Sequence, residues 1–224
     1  VGKVNPTAGS MCQDCPVGYV QPNTGQAYYN PCAAGTSQNL PRQTMCCECD
    51  EGTVQPLTGQ ATCHECAAGS YYKDAVTCIS CEKGMFQPDS GQLKCLTCQS
   101  GYIAASTGSS LCDPCSAGSQ PNANKDACDL CPAGQISTSQ GSTCQSCSDG
   151  YVQPQTGQTT CAICSAGSYM NTDRTACVSC PLGYSQSLQG QVKCDQCSDG
   201  TVAAIVGTDV CTDCQAGTSM NQNR

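Results

Sequence analysis

The chain has no tryptophan, a single phenylalanine (Phe86), 4% aromatic residues and 12% charged residues over its 224 positions. A hydrophobic core of ordinary size cannot be assembled from that material, so the usual one or two globular domains for this length are excluded. No stretch approaches the roughly 18 consecutive apolar residues of a membrane span, and no membrane contact is expected within this segment. The opening residues, VGKVNPTAGSMC, lack the charged-then-apolar layout of a secretory signal, which places any such signal outside the segment. Basic runs are missing too. Net charge is −8 and the pI about 4.3, with the acids spread singly, which argues against nucleic acid and anionic membrane surfaces as partners. Histidine is reduced to His64 in CHEC, with no nucleophile, base or metal constellation around it, so neither an enzyme nor a cofactor is expected. N-glycans are excluded as well, because the one Asn-x-Thr, at Asn5, is blocked by Pro6.

What is present is 26 Cys, 23 Gly and 12 Pro. Cysteine at that density beside so little apolar surface reads as a covalent scaffold formed in an oxidising compartment, extracellular or at the cell surface. The cysteines are periodic. Cys-x-x-Cys begins at 12, 46, 63, 78, 95, 112, 128, 144, 161, 177, 194 and 211, and at 29 with Tyr29 in place of the first cysteine; the spacing is 15 to 17 residues. Counting the first residue of each start as position 0, position 6 is glycine in every copy, from Gly18 to Gly217. Such a position calls for a residue with free φ where the backbone turns against a disulfide.

Two module types separate. The first carries another glycine at position 13, often within G-[YT]-V-Q-P-x-T-G-Q, as in CSDGYVQPQTGQTTC from Cys147; the second lacks it and reads CAAGT, CAAGS, CSAGS, CSAGS and CQAGT at Cys32, Cys66, Cys115, Cys164 and Cys214. From residue 78 the order first, first, second recurs three times, a super-repeat of 49 or 50 residues. The organisation is therefore a tail of one module over 1–11, a tandem array over 12–210 and the start of another module over 211–224, an excerpt of a longer array in which SMNQNR at the end matches SYMNTDR from Ser168.

Repeated Cys-x-x-Cys also suits four-thiolate zinc. Roughly six such sites would add about −12 to a chain already at −8, and the cysteine lost at Tyr29 is balanced by one gained at Cys47, which keeps an even count. Disulfides are favoured on both grounds. Pairing modules two by two would put identical modules of a three-module unit into alternating states, so a uniform ladder is expected, the second cysteine of each pair bonding the first of the next. The bonds are then Cys49 to Cys63, Cys66 to Cys78, Cys81 to Cys95, Cys98 to Cys112, Cys115 to Cys128, Cys131 to Cys144, Cys147 to Cys161, Cys164 to Cys177, Cys180 to Cys194 and Cys197 to Cys211. Cys12 and Cys214 would bond outside the excerpt, and Cys15, Cys32, Cys46 and Cys47 form an irregular set of two bonds.

No window has helical periodicity. The fold class expected is a set of small disulfide-rich repeats, about thirteen modules of 15–17 residues, with short β-strands and turns and almost no helix, stacked as an elongated solenoid-like rod. Bridge and step lengths bound the rise per module near roughly 17 Å, or on the order of 130 to 200 Å in all. Tyr19, Tyr102, Tyr151 and Tyr184 are placed to lie on a bridge, and Asp149 and Asp199 in SDG read as turn residues rather than calcium ligands. Thr24, Thr58, Ser90, Thr107 and Thr156 share position 12, between the proline and the second glycine; their hydroxyls either cap the turn or carry O-linked glycans.

The pattern C-x-x-C-x-x-G-x-[YT], then a Pro/Gly turn and the next C-x-x-C, resembles the cysteine-rich repeats called ephrin-receptor-like and, more distantly, the small modules of tumour-necrosis-factor receptors, the latter especially over MCCECDEGT at Met45 to Thr53. Such repeats serve in animal receptors and, as long near-identical arrays, in protist surface antigens and flagellar-hair (mastigoneme) proteins. Near-identity of the copies favours the second group. The resemblance implies a structural extracellular protein building a filament, flagellar hair or surface coat from copies of itself; the alternatives are a ligand-binding receptor ectodomain and a lipid-anchored surface antigen.

Overall fold

A computed structural model describes residues 1–216; Gly217 and the match over 219–224 lie outside the described residues. Among the described residues there is no helix, and 26 strands, most only two residues long, form thirteen two-stranded sheets. Each pair joins the residues just after a position-6 glycine to the interior of the next Cys-x-x-Cys. Thus Tyr19–Val20 lies antiparallel to Asn30–Pro31, and Tyr151–Val152 to Ala162–Ile163. The longest pair, Ser70–Asp74 with Thr77–Ser80, belongs to the shortest module and turns through Asp74, whose carboxyl accepts the Val76 N–H and is held below the usual carboxylate range by that bond. The chain divides into two compact units, one of Val1–Gln99, Ile103–Asp113 and Asn124–Asp126, the other of Ser100–Tyr102, Pro114–Ala123 and Ala127–Arg224.

Eleven disulfides each join a position-3 cysteine to position 0 of the next module. They are Cys32–Cys46, Cys49–Cys63, Cys66–Cys78, Cys81–Cys95 and Cys98–Cys112 in the first unit, and Cys115–Cys128, Cys131–Cys144, Cys147–Cys161, Cys164–Cys177, Cys180–Cys194 and Cys197–Cys211 in the second. The irregular set holds one bond, not two: Cys32 takes Cys46, while Cys15 and Cys47 are free thiols, as are Cys12 and Cys214. Cys46 and Cys47 are consecutive residues of extended chain, so their side chains point to opposite sides. Cys46 meets Cys32, and Cys47 faces solvent. The place opposite Cys15 is filled by Tyr29, whose hydroxyl bonds Gln13 and whose ring meets the Tyr19 ring edge-on at 6.1 Å.

Sulfur dominates the core of each unit. Ten of the thirteen position-3 cysteines are buried, joined by Val4, Val20 and Val152 at position 8 and by position-9 side chains. Position 6 sets the backbone. In every described copy from Gly18 to Gly200 it has positive φ, between +78° and +88°, as the third residue of a turn closed by the N–H of position 7 on the carbonyl of position 4, for example Tyr151 to Ser148 at 3.0 Å and Thr201 to Ser198 at 3.0 Å. That is the glycine place of a type II turn.

At most junctions neighbouring modules are joined by four further backbone hydrogen bonds. Between the modules at 128 and 144, Gly134 N–H donates to Gln153 O, Ser137 N–H to Gln158 O, Cys147 N–H to Gly134 O and Gly157 N–H to Cys131 O, at 2.7 to 3.2 Å. The same four join the modules at 12 and 29, where Gly18, Gln21, Cys32 and Arg42 donate, at 2.7 to 3.1 Å. That junction has no disulfide, since Cys15 is free. The hydrogen-bond frame therefore does not need the bridge to exist.

Modules also touch at second neighbours. A Cβ on Gly118 would collide with the Gly157 carbonyl two modules on, and one on Gly18 with the Gly59 carbonyl. By contrast a Cβ on Gly25, φ +73°, meets nothing within 4 Å. Gly118→Ala therefore lowers stability by the left-handed cost of about 1–2 kcal/mol plus displacement of a neighbouring backbone, whereas Gly25→Ala carries the conformational cost alone. Denaturant midpoints of the two variants should rank in that order, and equal midpoints would remove the second-neighbour contact from the account.

The unbridged junction offers a second test. Tyr29→Cys should bond Cys15 across a loop of the usual length and stabilise by about 3 kcal/mol. In the unsubstituted protein, burial, with Asp14 beside it, pushes the Cys15 thiol above its ordinary range. A neutral-pH alkylating reagent should label Cys47 and spare Cys15 until the array unfolds; labelling of both at one rate would contradict the buried placement.

Candidate functional surface

Exposed surface is supplied by the loop between each position-9 residue and the next cysteine, and a buried amide decides the shape of that loop. Gln21, Gln38, Gln55, Gln87 and Gln186, the Gln of VQP and its equivalents, are buried. Each Oε1 accepts the N–H of position 11 and each Nε2 donates to the carbonyl of position 16. For Gln55 the partners are Leu57 at 3.0 Å and Thr62 at 2.7 Å; for Gln38 they are Leu40 at 3.0 Å and Met45 at 2.8 Å. Gln153 makes the same pair, with Gln155 and Thr160. A second glutamine at position 14 ties the tip, its amide donating to the carbonyl of position 12, as from Gln60 to Thr58 at 3.3 Å.

Where position 9 is small the brace changes as a unit. Ala104 and Ala203 are buried, and position 14 is then Ser109 or Thr208, each donating its hydroxyl to the carbonyl of position 11, Ser106 at 2.8 Å and Ile205 at 2.7 Å. Ser137 with Ser142, and Asn5 with Ser10, are further solutions of the same kind. The expectation of short strands and turns does not anticipate this brace. The signal was the joint change of positions 9 and 14 between copies.

Position 13 is the other substitution point. Among the described residues, three non-glycine residues have positive φ, Arg42, Lys125 and Arg174, all at position 13 of second-type modules. In first-type modules the glycine N–H bonds a position-3 carbonyl of the preceding module, as Gly108 does to Cys81 at 2.8 Å. Lys125 reaches Cys98 O with its Nζ, and Arg174 reaches Cys147 O with a guanidinium N–H, so the side chain does the work of the missing glycine. Arg174 also pairs with Asp149 at 3.0 Å, which accounts for one SDG carboxylate. Position-13 glycines of first-type modules receive large side chains: the Tyr19 hydroxyl lies at 3.2 Å from a Cβ built on Gly59, and that of Tyr102 at 3.2 Å from one on Gly141.

The loop tips fall into two kinds. At position 11, Leu40, Leu57, Leu188 and Ile205 are 57, 62, 63 and 71% exposed. Position 16 adds exposed Tyr28, Met45, Leu111 and Val210. At position 12, by contrast, Thr24, Thr58, Ser90, Thr107 and Thr156 are exposed. Ser90 gives its hydroxyl to the Glu65 carboxylate; the threonine hydroxyls cap no turn, since the glutamines do so. His64 is exposed on the strand pair with Thr53–Val54. A groove of about 430 Å³ in the second unit, between Ile136 and Cys161, is lined by Ser, Thr, Gln and Tyr151 and contains no charged side chain. No cluster of three His, Cys, Asp or Glu able to hold a metal occurs among the described residues, and no helix of the described residues is long and apolar enough to cross a membrane.

Residues 69–110 and 167–214 match the family described as tyrosine-protein kinase ephrin type A/B receptor-like. Both matches begin at the position-6 glycine of a second-type module, Gly69 and Gly167, two super-repeats apart. Those two stretches are thus similar to cysteine-rich ephrin-receptor-like repeats, and they lie in a chain of tandem, disulfide-bonded modules. No curated protein matches the chain.

The paired brace makes a non-additive prediction. Ala104→Gln alone forces a long amide into a buried methyl site and should cost about 1–3 kcal/mol, while Ala104→Gln with Ser109→Gln rebuilds the brace of the neighbouring modules and should recover most of it. A double-mutant cycle on thermal unfolding measures the coupling; simple additivity would show that positions 9 and 14 are independent.

Proposed function

We propose that this chain is a stretch of a structural extracellular repeat protein whose modules build a filament or surface coat, a flagellar hair being one such form, by packing side by side with copies of itself. The observation that carries the reading is the recurrence of large apolar side chains at one place on a rigid loop, with Leu40, Leu57, Leu188 and Ile205 held outward by a brace that consumes the loop's own polar groups. Equivalent side chains on equivalent loops offer a neighbour the same contact again and again along the array. The disulfides and the density of backbone bonds at each junction suit an oxidising exterior and a load-bearing role. No catalysis enters this reading. A second reading, a ligand-binding receptor ectodomain, is favoured by the ephrin-receptor-like match alone.

Leu57→Asp with Ile205→Asp should abolish concentration-dependent assembly, followed by sedimentation and electron microscopy, and leave the melting temperature unchanged, because surface substitutions at such sites lie within about 0.5 kcal/mol. A full-length protein that stays monodisperse and monomeric and captures a soluble ligand would replace the filament reading with the receptor one.

A further inference from the structure

We propose that Thr24, Thr58, Thr107 and Thr156 are acceptors for O-linked sugars, each on an equivalent loop tip. Each occupies position 12, each is exposed, and none of the four hydroxyls makes a hydrogen bond. The structural work a hydroxyl could do there is already taken. Glutamines at position 9 hold the backbone on both sides of the tip in three of the four loops, Gln21, Gln55 and Gln153. Glutamines at position 14 occupy the threonine carbonyls themselves, Gln26 on Thr24, Gln60 on Thr58 and Gln158 on Thr156, at 3.3 to 3.4 Å. The fourth loop, that of Thr107, is tied by Ser109 on Ser106 instead.

Local backbone favours access. Pro22, Pro56 and Pro154 stand two residues before three of these threonines and fix φ there, and a glycine with positive φ follows all four, so the next residue itself carries no side chain. Around Gly25 nothing lies within 4 Å of a Cβ position, which leaves room beside Thr24 for a pyranose ring. Ser90 shares the position but not the property. Its hydroxyl is bound to the Glu65 carboxylate, and the structure removes it from the acceptor set.

The step is a glycosyl transfer. The threonine oxygen forms a bond to the anomeric carbon of a phosphate-activated sugar, the bond from that carbon to the phosphate oxygen breaks and its electron pair leaves with the phosphate, and the hydroxyl proton passes to a base of the transferase. The sugars would fall on hydroxyl-tipped loops, while Leu40, Leu188 and Ile205 mark loops without a threonine at position 12; Leu57 beside Thr58 is the one overlap. The proposal does not depend on self-association.

Peptide mass spectrometry with fragmentation that retains sugars, on the protein from its own source, tests it. Hexose or N-acetylhexosamine increments are expected at the four threonines, with Ser90 bare. Thr58→Ala and Thr156→Ala should lose the increment at their own sites and leave the melting temperature of the sugar-free protein unchanged. Unmodified masses at the four threonines, sugar spread over Ser90 and other exposed hydroxyls alike, or a fall in melting temperature of the sugar-free variants would each overturn it.

Discussion

A glycine six residues after the start of each described module holds the two peptide groups that flank it against the next module. Its N–H donates forward to position 9 of that module at most junctions, and its carbonyl receives the N–H of that module's second cysteine. Neither bond is available unless φ is positive, because a right-handed residue there would turn both groups away from the neighbour. The same glycine closes a type II turn and lies against the backbone of the module two steps on. Three constraints thus meet on one atom's absence, and the other parts of the module are arranged around it.

The disulfide is secondary to that frame. At the junction of the modules at 12 and 29 the four inter-module hydrogen bonds persist with Tyr29 in the cysteine's place. What the bridge adds is restriction of the unfolded chain, on the order of 3 kcal/mol for a loop of this size, together with sulfur to fill a core that has almost no aromatic residue to fill it. The half-cystine at position 3 lies inside and its partner at position 0 lies nearer the surface, so each bridge runs outward from the core. This asymmetry explains how Tyr29 is tolerated: it replaces an outer half, where a larger side chain finds room, and it strands the inner Cys15 as a buried thiol.

The period, the two glycine positions, the short strands and the lack of helix were legible because each is written as a residue type at a fixed spacing. The polar brace was not, although Gln21, Gln55, Gln153 and their equivalents stood in plain view within VQP. A glutamine among strand-forming residues reads as a solvent-facing alternate, and only the depth of position 9 shows that it is interior. The turn-capping role considered for Thr24, Thr58 and Thr156 failed for the same reason, since the amide one turn earlier had already taken the groups a hydroxyl would cap. Cys47 was misread as a compensating partner because parity counts residues and ignores the alternation that turns consecutive side chains apart.

The three-module beat follows from the same accounting of backbone groups. A position-3 carbonyl lies inside the array and must be met by a donor. A glycine at position 13 of the next module meets it with its own N–H, as at Cys81, Cys131 and Cys180. Lys125 and Arg174, also left-handed, meet Cys98 and Cys147 with their side chains. For Arg and Lys a left-handed backbone is unfavourable by about 1–2 kcal/mol, so the exchange persists only where the longer reach does something a glycine cannot. At Arg174 that something is visible: the guanidinium spans from the Cys147 carbonyl to the Asp149 carboxylate, tying the turn of one module to the loop of the next with a charge pair that no backbone N–H supplies. The second-type modules at 112 and 161 are therefore places where the array is clamped by side chains, whereas that at 29 keeps the backbone clamp through the Arg42 N–H.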